Sequence, residues 1–181
     1  MKIDKVSLEG IRVIQPDVFG DTRGYFFESY SKKRYKDIGI DSELVQDNIS
    51  KSVKETLRGL HLQVGGNAQG KLCQVISGRV LDVAVDVRPD SATFGKYFSI
   101  ELSGENHTQV WIPAGFAHGF SVLSDEAVFS YKCTNYYDKE SERSILYNDP
   151  ELGIDWKIEN PIVSERDLKA ETFAQFRQKY L

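Results

Sequence analysis

The sequence predicts a mainly β protein, a sandwich or closed barrel with short peripheral helices, and three observations carry that expectation. Aromatic residues form 12% of the 181-residue chain, with 9 Tyr and 10 Phe, and such side chains suit a pleated, half-buried surface. Short apolar runs recur with Gly and Pro between them, as strands and turns do. From Val80 to Arg88 the residues alternate, with Leu81, Val83, Val85 and Val87 on one face and Asp82, Ala84, Asp86 and Arg88 on the other. That is the period of a strand.

The elements follow in chain order. Residues 31–38 read as a helix that Gly39 ends. Residues 57–63, read as a strand, place His61 and Gln63 with Gly59 on one face and Arg58, Leu60 and Leu62 on the other. Residues 71–76 and 80–88 flank Ser77-Gly78 and read as a hairpin. Further strands are expected over 97–102, 108–112, 116–123 and 127–134. A last helix, over 164–176, opens on Ser164-x-x-Asp167 as a capping box and carries a stripe of Leu168, Phe173 and Phe176.

A hydrophobic content of 40% over this length gives one domain, 1–181, enough apolar surface for a sizeable core. The formal net charge of -4 offers a phosphate backbone no general attraction, so no nucleic-acid partner is expected. Cys73 and Cys133 are too few for a disulfide framework and too far apart for a Cys-x-x-Cys pair, and they read as buried free thiols. No apolar signal core follows Met1, and no run approaches the ~20 residues of a membrane span. A cytoplasmic protein with no membrane partner is the expectation.

Chemistry centres on the histidines. His107 lies in the polar turn Gly104-Glu105-Asn106-His107 and reads as a solvated surface residue. His118 follows Pro113-Ala114-Gly115, a Pro-x-Gly turn feeding a strand, and this arrangement resembles the second motif of the cupin superfamily. Metal-binding cupins add a His-x-His pair and a following Glu. Here the corresponding place reads His61-Leu62-Gln63, with no Glu in the next seven residues. The usual ligand set is incomplete, so no catalytic metal is expected.

A more specific resemblance runs along nearly the whole chain. It is carried by Asp21-x-Arg23-Gly24-x-Phe26-x-Glu28, Gln46-Asp47-Asn48, Leu57-Arg58-Gly59-Leu60-His61-x-Gln63, Gln69-Gly70-Lys71, Val83-x-Val85-Asp86-Val87-Arg88, Gly115-Phe116-Ala117-His118-Gly119-Phe120, Tyr131-Lys132-x-Thr134-x-Tyr136-Tyr137 and Asn148-Asp149-Pro150. In this order they resemble the motifs of the dTDP-4-dehydrorhamnose 3,5-epimerase family. The resemblance implies a cupin-type jelly-roll barrel, a homodimer with a shared active site, a dTDP-sugar substrate and no cofactor. It implies 3,5-epimerisation of dTDP-4-dehydro-6-deoxy-D-glucose, a step toward dTDP-L-rhamnose.

By the same resemblance His61 is the general base, Asp167 the carboxylate that sets its tautomer, Lys71 the cation near the oxyanion and Tyr131 the proton donor. Arg23, Phe26, Glu28, Gln46, Asn48, Arg58 and Tyr136 match positions that recognise the nucleotide, and His118 matches a substrate-binding position. Asp82 could orient His118 or serve a barrel-interior network. The residues alone leave other roles open: Asp167 as a helix cap, Lys71 as a hairpin charge, Tyr131 as a core aromatic, and Arg23 with Glu28 as a surface ion pair. The same acid and base would also serve epimerisation at C3 alone, which the product distinguishes.

Overall fold

The computed structural model describes residues 1–180. In chain order the strands are β1 (Lys2–Lys5), β2 (Arg12–Gln15), β3 (Val18–Asp21), β4 (Gly24–Phe27), β5 (Gln46–Val53), β6 (Thr56–Gln63) and β7 (Lys71–Ser77). They continue as β8 (Arg79–Asp86), β9 (Tyr97–Ser103), β10 (Gln109–Ile112), β11 (Phe116–Val122), β12 (Glu126–Cys133), β13 (Glu142–Ser144) and β14 (Ile162–Val163). One sheet runs β1-β2-β10-β7-β12-β5 and a second runs β13-β6-β11-β8-β9, with β14 added to β6; β3 and β4 form a separate hairpin. The two large sheets enclose an apolar interior as a jelly-roll barrel.

The expected hairpin at Ser77-Gly78 is not formed, because β7 and β8 lie in different sheets. Gly78 takes φ +78, and a Cβ there would lie 2.0 Å from the Glu126 carbonyl oxygen. The turn therefore carries the chain from one sheet to the other, through a space that only glycine fits. Strand alternation identifies both flanking segments as strands but does not specify their partners.

Every residue of β8 after Arg79 is buried, because both faces of its sheet are covered. Val80 and Ala84 face the barrel interior with Val75, Val110, Phe120 and Phe129. Leu81, Val83, Val85 and Val87 face outward, where Trp156, Phe173 and Phe176 cover them. Each buried phenylalanine contributes on the order of 1.5–3 kcal/mol. The other sheet is covered by α1 (Lys32–Asp37), whose Tyr35 packs with Ile14, Leu72 and Trp111.

The C-terminal helix expected over 164–176 is two helices, α2 (Glu165–Leu168) and α3 (Phe173–Tyr180). Between them Glu171 leaves the helix to bridge Ile145 and accept the Leu146 N–H. Thr172 then caps α3, its Oγ1 accepting the Gln175 N–H at 3.2 Å while Gln175 Oε1 accepts the Thr172 N–H at 2.9 Å, and the Asp149 carboxylate accepts the Phe173 N–H at 2.8 Å. Leu168 stays exposed, so the apolar stripe reduces to Phe173 and Phe176. Among the described residues no helix is long and apolar enough to cross a membrane.

Candidate active site

The site begins with an irregularity in β6. His118 of β11 opposes His61, but Phe120 opposes Arg58, so β6 spends one extra residue between the two pairs. This bulge resets the alternation. Arg58 and His61 consequently line one cavity, and the expected placement of Arg58 on the face opposite His61 does not hold. Gly59 takes φ +137 at the bulge, and a Cβ there would lie 2.5 Å from the Gly119 Cα. Only glycine permits that approach.

The C-terminal segment then delivers Asp167. β14 pairs parallel with β6, setting Ile162 beside Thr56 and Val163 beside Leu57. Ser164 follows as the N-cap of α2 and accepts the Asp167 N–H at 3.1 Å. The buried Asp167 carboxylate lies 2.6 Å from His61 Nε2, with Oδ2 3.5 Å from the Gly59 N–H. Burial pushes the carboxyl up, but the hydrogen bond and charge of His61 outweigh it and hold Asp167 below the ordinary carboxylate value. An ionised carboxylate only accepts, so Nε2 is the donor in this contact, and in the neutral imidazole the lone pair falls on Nδ1. The backbone of Asp167 serves the cap while its side chain serves the imidazole.

The first sheet supplies the facing wall, with Asn48 from β5, Lys71 from β7 and Tyr131 from β12. Together with Arg58, His61, His118 and Asp167 they line a cavity of about 670 Å³. Asn48, His61, Lys71 and Tyr131 also line an adjoining cavity of about 320 Å³ with Gln46 and Gln63. Burial, followed by nearby Cys133, Cys73 and Glu142, pushes the Tyr131 phenol up to about 12. It therefore holds its proton at neutral pH. Gln46 donates to the Asn48 side chain at 3.0 Å, and Arg58 donates to Ser52 Oγ at 3.1 Å.

At the base of the site His118 is buried, with Nε2 2.8 Å from Asp82 Oδ2 and 3.9 Å from Cys73 Sγ. Asp82 thus holds His118, as one of the two expected roles required. Both cysteines are free and buried.

Four expected site residues lie outside these cavities. Arg23 and Phe26 belong to the β3–β4 hairpin and flank a separate shallow depression. Arg23 pairs with Asp21 and Glu28 pairs with Arg34, so the two do not pair with each other. Tyr136 points to solvent, while its neighbour Tyr137 lines the smaller cavity. The Tyr137 N–H binds Gln46 Oε1 at 2.9 Å and its hydroxyl binds Glu142 at 2.7 Å. Glu142 also pairs with Arg166 at 2.6 Å. Sequence reasoning missed Glu142 and Arg166, and the only signal for Tyr137 was its place in the Tyr136-Tyr137 pair. His107 is half-buried rather than solvated, with its ring centroid 4.4 Å from Tyr25 and 5.1 Å from Phe27.

The arrangement resembles known proteins along its whole length. The family model described as dTDP-4-dehydrorhamnose 3,5-epimerase matches residues 5–175. The chain belongs to this family. The dTDP-4-dehydrorhamnose 3,5-epimerase of Shigella flexneri is 49% identical over 174 residues, which are 96% of each chain. The crystal structure of the Elizabethkingia anophelis relative of the same description superposes with a TM-score of 0.93 at 52% identity, covering 100% of this chain and 99% of that one. A Legionella pneumophila relative, solved in complex with dTDP-4-keto-L-rhamnose, gives a TM-score of 0.91 at 50% identity and covers 94% and 92%.

Proposed function

We propose that this chain, as a single domain, converts dTDP-4-dehydro-6-deoxy-D-glucose to dTDP-4-dehydro-L-rhamnose by cofactor-independent epimerisation at C3 and C5. The chain is then an isomerase of the dTDP-L-rhamnose route. One observation carries this reading: His61 with its Asp167 partner and Tyr131 come from opposite sheets and line one cavity. Inversion needs a proton removed from one face of the sugar and another delivered to the opposite face.

The C4 ketone acidifies the protons at C3 and C5. The Nδ1 lone pair of His61 takes the proton, and the electron pair moves into the C4 oxygen as an enolate. Lys71 stabilises that oxyanion. The phenol of Tyr131 protonates the carbon from the other face, and the resulting phenolate and imidazolium exchange protons with solvent. An enolate carbon is basic enough to take a proton from a phenol. The second epimerisation repeats the cycle after the ring shifts.

Arg58, Gln46, Asn48 and His118 hold the substrate, with Arg58 placed for the diphosphate. Tyr137 offers the aromatic face expected of Tyr136. We further propose a homodimer in which the β3–β4 hairpin brings Arg23, Phe26 and Glu28 to the partner's cavity. The exposure of Phe19 at 66% and Phe26 at 70% supports an interface there. Two free thiols suit a cytoplasmic setting.

The test is incubation with dTDP-4-dehydro-6-deoxy-D-glucose in deuterium oxide, followed by proton NMR of the sugar. Label at both C3 and C5 with the L-rhamno product is expected. Label and inversion at C3 alone would replace the reading with a C3 epimerase, and no label at either carbon would remove the enzymatic reading.

A further inference from the structure

Cys73, Asp82 and His118 come from three different strands, β7, β8 and β11, and converge beneath the substrate cavity. Their sulfur, carboxylate oxygen and imidazole nitrogen lie within 4.8 Å of one another, and all three residues are buried. Asp82 Oδ2 at 2.8 Å and Cys73 Sγ at 3.9 Å are both directed at one atom, His118 Nε2. That nitrogen has a single in-plane site, so a proton on it serves Asp82 and leaves the thiol without an equally good partner. A cation bound at the same place would engage all three.

We infer that Cys73, Asp82 and His118 form a binding site for a thiophilic divalent cation of the zinc class, and that filling it inhibits the enzyme. A thiolate, a carboxylate and an imidazole make a suitable donor set. Zinc bonds of ~2.0–2.3 Å at tetrahedral angles separate such donors by about 3.3–3.6 Å, so adjustments on the order of 1 Å close the site. The two anionic ligands neutralise the dication, which a buried position requires. On binding, the Cys73 thiol releases its proton to solvent, and the His118 proton moves from Nε2 to Nδ1.

The ligand set is not the one expected of a metal-binding cupin. His61 and Gln63 take no part, and His61 Nε2 is already engaged by Asp167. Because His118 lines the 670 Å³ cavity, the cation has access through the substrate cavity, where water can complete its coordination. Inhibition follows because the proton shift turns His118 Nδ1 from an acceptor into a donor and so alters the contact that His118 offers the sugar.

The test uses the metal-free full-length enzyme with cobalt(II) and zinc(II) as probes. Cobalt should give a thiolate charge-transfer absorption saturating at one ion per chain. Cys73→Ala should abolish it, and Cys133→Ala should keep it. Zinc should inhibit the parent reversibly, with chelator restoring activity, and Cys73→Ala should need at least about 10-fold more zinc for the same inhibition. Cys73→Val, nearer in volume, gives a second variant should the alanine protein fold poorly. A missing thiolate band, a band without inhibition, or equal zinc sensitivity in parent and Cys73 variants would overturn the inference.

Discussion

The Asp167 carboxylate lies 2.6 Å from His61 Nε2, joining residues 106 positions apart, while the same residue's N–H is spent on Ser164 Oγ. The two contacts use different atoms, so substitution separates them. Asp167→Asn keeps the backbone donor and the helix start but removes the charge that sets the imidazole tautomer. Turnover should fall at least about 100-fold, while the melting temperature moves by less than about 4 °C. Unchanged turnover would leave Asp167 as a helix residue only.

His61→Ala should lower deuterium uptake at C3 and C5 together, by about 10²–10⁴-fold. In the proposed mechanism one base on one wall serves both carbons. If uptake at one carbon persisted at the parent rate, a second base would be at work there.

Tyr131→Phe keeps the ring and deletes the proton. His61 then still removes and returns protons on its own face, so deuterium should enter the sugar with retained configuration. Net epimerisation should fall by about 10²–10⁴-fold, or roughly 3–5 kcal/mol of barrier. A time course in deuterium oxide that follows label and stereochemistry together provides the check. Epimerisation at the parent rate would make Tyr131 a packing residue, and joint loss of label and inversion would undo the division between two faces.

Activity should survive exhaustive chelation. Where a metal-binding cupin places His-x-His and a Glu, this chain has His61-Leu62-Gln63 and no nearby Glu, and Asp167 engages His61 Nε2. Turnover that disappears with a stoichiometric metal and returns with it would contradict this. The zinc effect argued above is inhibitory and so leaves the chelated enzyme active.

Asp86 predicts an acid limit to stability. The carboxylate is fully buried and accepts from Arg88, Ser91 and Thr93 at 2.6–2.9 Å. Burial pushes it up, but those hydrogen bonds prevail and lower it from 3.8 to about 2. Because the folded value lies below the unfolded one, the stabilisation is complete above about pH 4 and is lost as pH falls through about 2. The difference corresponds to about 2 kcal/mol. Asp86→Asn should lower the melting temperature at pH 7 by about 4–8 °C and flatten its decline between about pH 4 and 2. An acid limb as steep as the parent's would assign the decline to other carboxylates.

The sequence by itself determined the central strands β6 to β12 and most of the materials of the site, while β1 to β5, β13 and β14, which are short or lack an apolar alternation, emerged only in the structure. Alternation from Val80 to Arg88 marks β8 because side-chain direction in a strand is local, with a period of two. Resemblance in motif order named His61, Lys71, Tyr131 and Asp167 without showing how they meet. Only the tertiary structure decided which strands pair, since hydrogen-bond partners and sheet closure are long-range; it put β7 and β8 in different sheets despite the turn at Ser77-Gly78. The bulge at Gly59 likewise placed Arg58 beside His61, against simple alternation. β12 ends at Cys133, so no strand period governs the next residues, and side-chain contacts with Gln46 and Glu142 select Tyr137 over Tyr136. The meeting of Cys73, Asp82 and His118 was equally invisible along the chain, because strands distant in sequence become neighbours only when the barrel closes.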